Sequence, residues 1–421
     1  TLMLWIITMV FLSLASKKAS GMAASTPTSA SLSASKNFAS TVDLERRLRG
    51  ALWGFFSGDA LAAPTHWYYG GAQQIQSDYG TLLSDYTKPS YQLSGSILNK
   101  SNLNGGGRAT NNANCSPVHG DNKHATTNII GDVINHGKQD LWSPNQSIHY
   151  HATLKAGENT LEVQLARVLM KSIVATNGKF DPDHFRDAYI QFMTTSGSHN
   201  DTYASTCHRM FFANLIFHKL SPKDCPDNDK HNVDTMDGLV LPTIVALATA
   251  ADMSATPQQI SQASASCAAV TRKSDVLQQV AGVWGQLVAS SIRESNNNDN
   301  VNVVSTLQTV SKQLIGRLPR TSAGDEMSAC YLEQSLPPFL DMVAKYLPRH
   351  SQVWDALLAN ANVGGENVHR GSVLGAILGA RAGVDQLSNH LKTGLYPYQE
   401  LDQEINAFVK AVIQNDDSVS V

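Results

Sequence analysis

Cysteine is scarce in this chain of 421 residues: Cys115, Cys207, Cys225, Cys267 and Cys330 are scattered, odd in number and form no CxxC pair. Such a set indicates neither a cysteine-based zinc site nor a disulfide framework. Charge is sparse as well, at 16% of residues with a formal net charge of -3. That removes any broad electrostatic signature and with it the case for nucleic-acid binding. The longest opening apolar run, Leu2 to Leu14, is too short to span a bilayer comfortably, so no stable span is expected in the mature protein. No Walker or dinucleotide fingerprint occurs, and no clear nucleophile of the Ser-His-Asp kind, which disfavours acyl chemistry. Alternating apolar and polar residues are also rare, which argues against a sheet.

What is present supports a large helical core, since 42% of residues are hydrophobic. Apolar stripes at helical spacing run from Leu161 to Ile173 and through Phe185, Ala188, Tyr189 and Phe192, the latter opened by Asp181 and Pro182. Further amphipathic stretches cover Thr202 to Phe217, Leu239 to Ala251, Val276 to Ile292, Val303 to Leu314, Tyr331 to Tyr346, Val353 to Leu358 and Leu401 to Ile413. The fold expected is all-α, one large multi-helix domain over residues 43–421, with an irregular insertion at 67–150. That insertion carries His119 and His124 and is either a lid over a site or a disordered segment.

The first 42 residues read differently. After the apolar run, Ala15 to Val42 is rich in Ser, Ala and Thr, carries Lys17, Lys18 and Lys36, and has no acidic residue. This composition resembles a two-step targeting segment, into a plastid or the secretory pathway. The alternative is a disordered leader, or a cytoplasmic protein whose translation starts at Met22. Sequons stand at Asn99, Asn145 and Asn200, the last in a stretch expected to be buried.

The chain is organised around Val363 to Gly383, VGGENVHRGSVLGAILGARAG. Gly364 and Gly365 permit tight backbone geometry, and Glu366, Asn367, His369 and Arg370 follow at the start of a helix. Gly371, Gly375, Gly379 and Gly383 then fall on one helical face almost bare of side chains. Each interior glycine costs about 1 kcal/mol relative to alanine, so the ridge predicts a close backbone partner. Gly50, Gly54 and Gly58 repeat the spacing in RGALWGFFSGDALAAPTHW. Crossing of the two helices would make Asp59, His66 and the Glu366 to Arg370 loop neighbours. Glu158, Asp201 and Glu366 each precede a helix, and each is either a cap or a member of a shared cleft.

GALWGFFSGDALAAP, GENTLEVQLARVLMKSI, NDTYASTCHRMFF and GGENVHRGSVLGAILGARAG, in that order, resemble four motifs of the ADP-ribosylglycohydrolase family, including its J1-crystallin-like members. The resemblance spans Arg49 to Gly383. It implies hydrolysis at the anomeric carbon of ADP-ribose, on a small-molecule or ADP-ribosylated substrate, at a site with two magnesium ions. The motifs depart from that pattern. Gly157, Glu158 and Asn159 stand where the family has Thr-Asp-Asp, Glu366 to His369 where it has Asp-Thr-Asp-Thr, and His66 where it has a glutamate. Val368 cannot bind a metal. The expectation is therefore one divalent ion or none, magnesium or a transition metal, held by Glu158, Glu366 and His369. Asp201, His66 and Glu158 are expected to be catalytic, with Asn159, Asn200, Tyr203, Gly364, Gly365, Asn367 and Arg370 contacting substrate. His66 is either a proton carrier or a histidine packed beside Trp67 and Tyr68. His149 and His151 are read as loop residues, and His208 with Arg209 as an ion-pair brace. The function expected is a glycohydrolase acting on ADP-ribose or a related nucleotide sugar. The alternative is a non-enzymatic J1-crystallin-like structural or ligand-binding protein.

Overall fold

A computed structural model describes residues 41–107, 127–293 and 299–413. The expected targeting segment at 1–42 falls almost wholly outside these residues, as do His119 and His124. The described part is helical: α1 (Thr41–Ala62), α2 (Gly71–Tyr79), α3 (Leu161–Ala175), α4 (Pro182–Thr194), α5 (Thr206–Ile216), α6 (Val240–Ala251), α7 (Pro257–Thr271), α8 (Asp275–Arg293), α9 (Asp299–Ile315), α10 (Leu332–Tyr346), α11 (Val353–Val363), α12 (Val368–Ala382), α13 (Asn389–Thr393) and α14 (Tyr398–Ile413). Pairing of β type among these residues is confined to isolated bridges. None of these helices is long and apolar enough to cross a membrane.

The centre of the body is α12, every residue of which is buried. A helix buried on all sides must meet neighbours on all sides. Its most extensive contact is with α1, and the glycines explain how. A Cβ built on Gly50, Gly54 or Gly58 would lie 2.2, 2.1 and 2.0 Å from the carbonyl oxygens of Gly379, Gly375 and Gly371. The pairing runs 50 with 379, 54 with 375 and 58 with 371, so the helices are antiparallel and touch backbone to backbone. No side chain fits between them. Arg46 Nη1 closes one end of the pair on Ala382 O at 2.9 Å.

The antiparallel arrangement brings the C-terminal end of α1 beside the N-terminal end of α12, where the polar loop sits. Around this pair pack α8, α6 and α11, with α3 and α14 alongside. The α4 start behaves as read: Asp181 caps it through the backbone N–H groups of Asp183 and His184. Helix α7 escaped the apolar-stripe reading. Its sequence is dominated by Ser, Ala and Gln, and its start is fixed by a capping box in which Thr256 and Gln259 satisfy each other's backbone N–H groups. The described parts of 67–150 are irregular apart from α2 and short turns, yet they are packed, with Ile75, Leu93, Leu98, Ile129, Ile130, Ile134 and Ile148 in the core.

Candidate active site

Four chain segments meet where α1 ends and α12 begins. The first follows α1: a single 3-10 turn, Ala63–Thr65, carries Pro64, and His66 and Trp67 come next. Trp67 adopts φ of 59°, an uncommon conformation for a bulky residue and one that concentrates at functional sites. Its backbone N–H donates to Gly365 O at 2.8 Å. Gly364 and Gly365 form the second segment. At φ of 76° and 63°, their built Cβ atoms would fall 2.3 Å from Tyr68 O and 2.4 Å from Ser328 O. Only glycine passes there. The third segment is the loop from His149 to Thr160 and the fourth is His199 to Ser205.

These segments assemble a buried row of acid and base groups. Asp201 Oδ1 lies 2.8 Å from His151 Nδ1, and His151 Nε2 lies 2.7 Å from His66 Nδ1. His66 Nε2 lies 3.3 Å from Glu366 Oε2, and Glu366 Oε1 contacts His369 Nδ1. Trp67 Nε1 donates to Glu366 Oε2 at 2.9 Å. Asp201 Oδ2 takes the Leu161 N–H at 2.8 Å, so it caps α3 and not the helix that follows it in sequence. The expected cap of the following helix is therefore corrected to a cap of α3, and the other oxygen of Asp201 lies in the row that also holds Glu366.

Burial and neighbours set the charges. Burial alone would raise Glu366, but His369 and His66 outweigh it and hold the carboxylate well below its usual range. Burial opposes the charged form of His369 as well, and Glu366 prevails, lifting it to about 9. For Asp201 burial is again overcome, by His151 and the Leu161 N–H, leaving it below the ordinary value. His66 goes the other way: burial lowers it to about 4 in spite of Glu366. His149 is a neutral spacer. Its Nε2–H donates to Pro64 O at 3.0 Å while Nδ1 accepts the His151 N–H at 2.9 Å, which fixes the tautomer.

Above the row lies an aromatic cover. His66 stacks on Trp67 at 4.1 Å, and Trp67, Tyr150 and Tyr203 meet edge to face at 4.3, 5.1 and 5.6 Å. Trp67 and Tyr203 are half-buried, whereas His66, His151, Asp201 and Glu366 are buried.

The remaining expected residues divide into two groups. Asn200, half-buried, and Glu158, buried, are joined at 3.2 Å, with Glu158 also accepting the Lys155 N–H at 2.8 Å. Asn159, Asn367 and Arg370 are engaged in bracing. Asn159 Nδ2 donates to Phe56 O at 2.8 Å and to Asp59 Oδ2 at 2.9 Å. Asn367 Nδ2 donates to Thr65 Oγ1 at 2.8 Å and Ala361 O at 2.9 Å. Arg370 holds Asn360 Oδ1 at 2.7 Å and Glu326 O at 3.0 Å. Asp59 supports the same corner by accepting from Thr160 N at 2.8 Å and Thr160 Oγ1 at 2.6 Å. His208 does form an ion pair, with Glu162 at 2.8 Å; Arg209 instead holds the Gly105 carbonyl at 3.1 Å and Thr206 Oγ1 at 2.8 Å. Reading His149 and His151 as plain loop residues missed their part. Both are in a loop, but His151 is the link between Asp201 and His66, and its only sequence signal is the alternation His149-Tyr150-His151.

The donor set does not fit two magnesium ions. Among the described residues, two groups place three potential ligand atoms within 4.8 Å of one another: His66, Glu366 and His369, and Glu162, Cys207 and His208. Each has a single carboxylate, whereas magnesium demands near-octahedral oxygen coordination. Glu158 stands outside both groups.

The family model for ADP-ribosylglycohydrolase matches residues 40–418, and the chain belongs to the ADP-ribosylglycohydrolase family. A solved structure described as an ADP-ribosylglycohydrolase-related protein complex shares the fold, with a TM-score of 0.54 at 13% identity over 88% of this chain and 99% of that one. No curated protein matches the chain. Membership in a glycohydrolase family supports a glycohydrolase-type function.

Proposed function

We propose that this protein hydrolyses an N- or O-glycosidic bond at the anomeric carbon of a ribose, with ADP-ribose or a related nucleotide sugar as the glycosyl part. The observation that carries this reading is the buried row Asp201, His151, His66, Glu366. Cleavage of a glycosidic bond needs a base for the attacking water, an acid for the leaving group and negative charge beside an oxocarbenium-like transition state. Asp201 and Glu366, both held ionised, supply the charge from the two ends of the row. His66 and His151 join the two carboxylates, and His151, held by Asp201, is placed to take the proton of the attacking water and return it to the leaving group. Glu158 and Asn200, joined to each other, suit ribose hydroxyls, and the half-buried faces of Trp67 and Tyr203 suit a purine ring. Because the row itself is covered, entry of the ribose requires the Trp67, Tyr150 and Tyr203 cover to swing aside.

The test is release of free ADP-ribose from a panel of N- and O-linked ADP-ribosyl amino-acid conjugates. Turnover of at least one conjugate, lost in His66→Ala and Asp201→Asn, is expected. A second reading, non-enzymatic ligand binding, draws on Val368, which stands at a position where the family resemblance implies a metal ligand. Ligand binding without turnover of any conjugate would favour it.

A further inference from the structure

We propose that His66, Glu366 and His369 hold one divalent transition metal of the zinc class, in place of the two magnesium ions that the family resemblance implies. Two imidazole nitrogens and one carboxylate oxygen, all buried and with their ligand atoms within 4.8 Å of one another, form a donor set suited to zinc, cobalt or nickel and ill-suited to magnesium.

Between Glu366 and Asp201 lie three contacts, at 3.3, 2.7 and 2.8 Å, and the longest, His66 Nε2 to Glu366 Oε2, is the one within the ligand group. With a metal there, His66 Nδ1–H donates to His151 Nε2, and His151 Nδ1–H donates to Asp201. A ligating histidine backed by a hydrogen-bonded carboxylate is the usual outer support of such sites. Trp67 Nε1, on Glu366 Oε2 at 2.9 Å, orients the carboxylate.

The other candidate group is unsuited. The Arg272 guanidinium stands 4.0 Å from the Glu162 carboxylate that would be its anionic ligand. An added cation would meet that charge directly.

The experiment is zinc titration of the full chain against a chromophoric chelator after dialysis, in excess magnesium, together with the absorption spectrum of the cobalt-loaded protein. One equivalent of zinc is expected, undisturbed by magnesium and retained in Cys207→Ser. Removal of a direct ligand in His66→Ala or His369→Ala abolishes it, and His151→Ala weakens it by about 10- to 100-fold. Cobalt bands without thiolate charge transfer are expected in the wild type, and they decide the matter should a ligand variant fail to fold. Absence of bound zinc, magnesium displacing it, or its loss in Cys207→Ser overturns the proposal. The readout is metal and not turnover, so its failure leaves the glycohydrolase reading standing.

Discussion

Asp201 serves two neighbours at once, capping α3 with one oxygen and orienting His151 with the other. The two roles separate by substitution. Asparagine keeps an oxygen for the cap and loses the charge, so Asp201→Asn is expected to lower hydrolysis by about 10²- to 10⁴-fold. Because the cap is kept, the stability cost should stay within about 1 kcal/mol, which for a domain of this size moves the thermal transition by only a few degrees. A collapse of the fold with no separable activity defect would reduce Asp201 to a cap. His151→Ala makes the matching prediction from the other side. Among the described residues its ring hydrogen-bonds Asp201 and His66 alone, so activity should fall to a level similar to Asp201→Asn, and the double variant should lose little more. Additive losses would show that the two do not act as a unit. Asp201 and Glu366 could be picked out because each stands in a motif beside a helix start, and His66 because it follows the opening glycine ladder. His151 was not. Its importance comes from a loop path that returns it to the end of α1, and loop paths leave no periodic trace in a sequence.

At the level of elements, the α1 and α12 pairing was readable from two glycine ladders of period four, since a bare helical face makes sense only against another backbone. The prediction is severe. A Cβ on Gly375 would sit 2.0 Å from Gly54 O, whereas one on Gly324 meets nothing within 4 Å. Backbone cannot step aside as a side chain can, so Gly375→Ala should cost about 3 kcal/mol or more and Gly324→Ala stay within about 0.5 kcal/mol. Urea unfolding of the two variants measures both; similar midpoints would mean that the helices are not in backbone contact. Helix α7 shows the opposite case. Its small polar residues carry no stripe, and only its capping box, Thr256 with Gln259, announces it. Expecting Asp201 to act at the helix that follows it failed for a related reason: which helix a residue caps is set by tertiary approach, not by order in the chain.

Across the whole molecule, the formal net charge at pH 7 is -3, and specific buried pairs add their own pH dependence to that of the overall charge. Asp237 ties three segments together, bonding Arg272 Nη2 at 2.6 Å and Ser205 Oγ at 3.0 Å. Burial alone would raise it, but Arg272 outweighs burial and brings it to about 2, below the ordinary 3.8. Because the folded value lies below the unfolded one, its contribution is fully present above the unfolded value and is lost as pH falls from about 4 towards 2. Urea midpoints should drop over that window in the wild type and drop less steeply in Asp237→Asn. Equal slopes would remove the pair from the account. The four family motifs made the fold readable at this scale, yet their altered positions left the ligand chemistry to geometry. The central claim is that the covered row at the α1 and α12 junction is the place where a nucleotide sugar binds. Calorimetric titration of ADP-ribose into the full chain and into Asp201→Asn tests it most directly. Binding by the wild type that is lost or greatly weakened in the variant is the expected result, and equal binding by both, or by neither, would contradict the account.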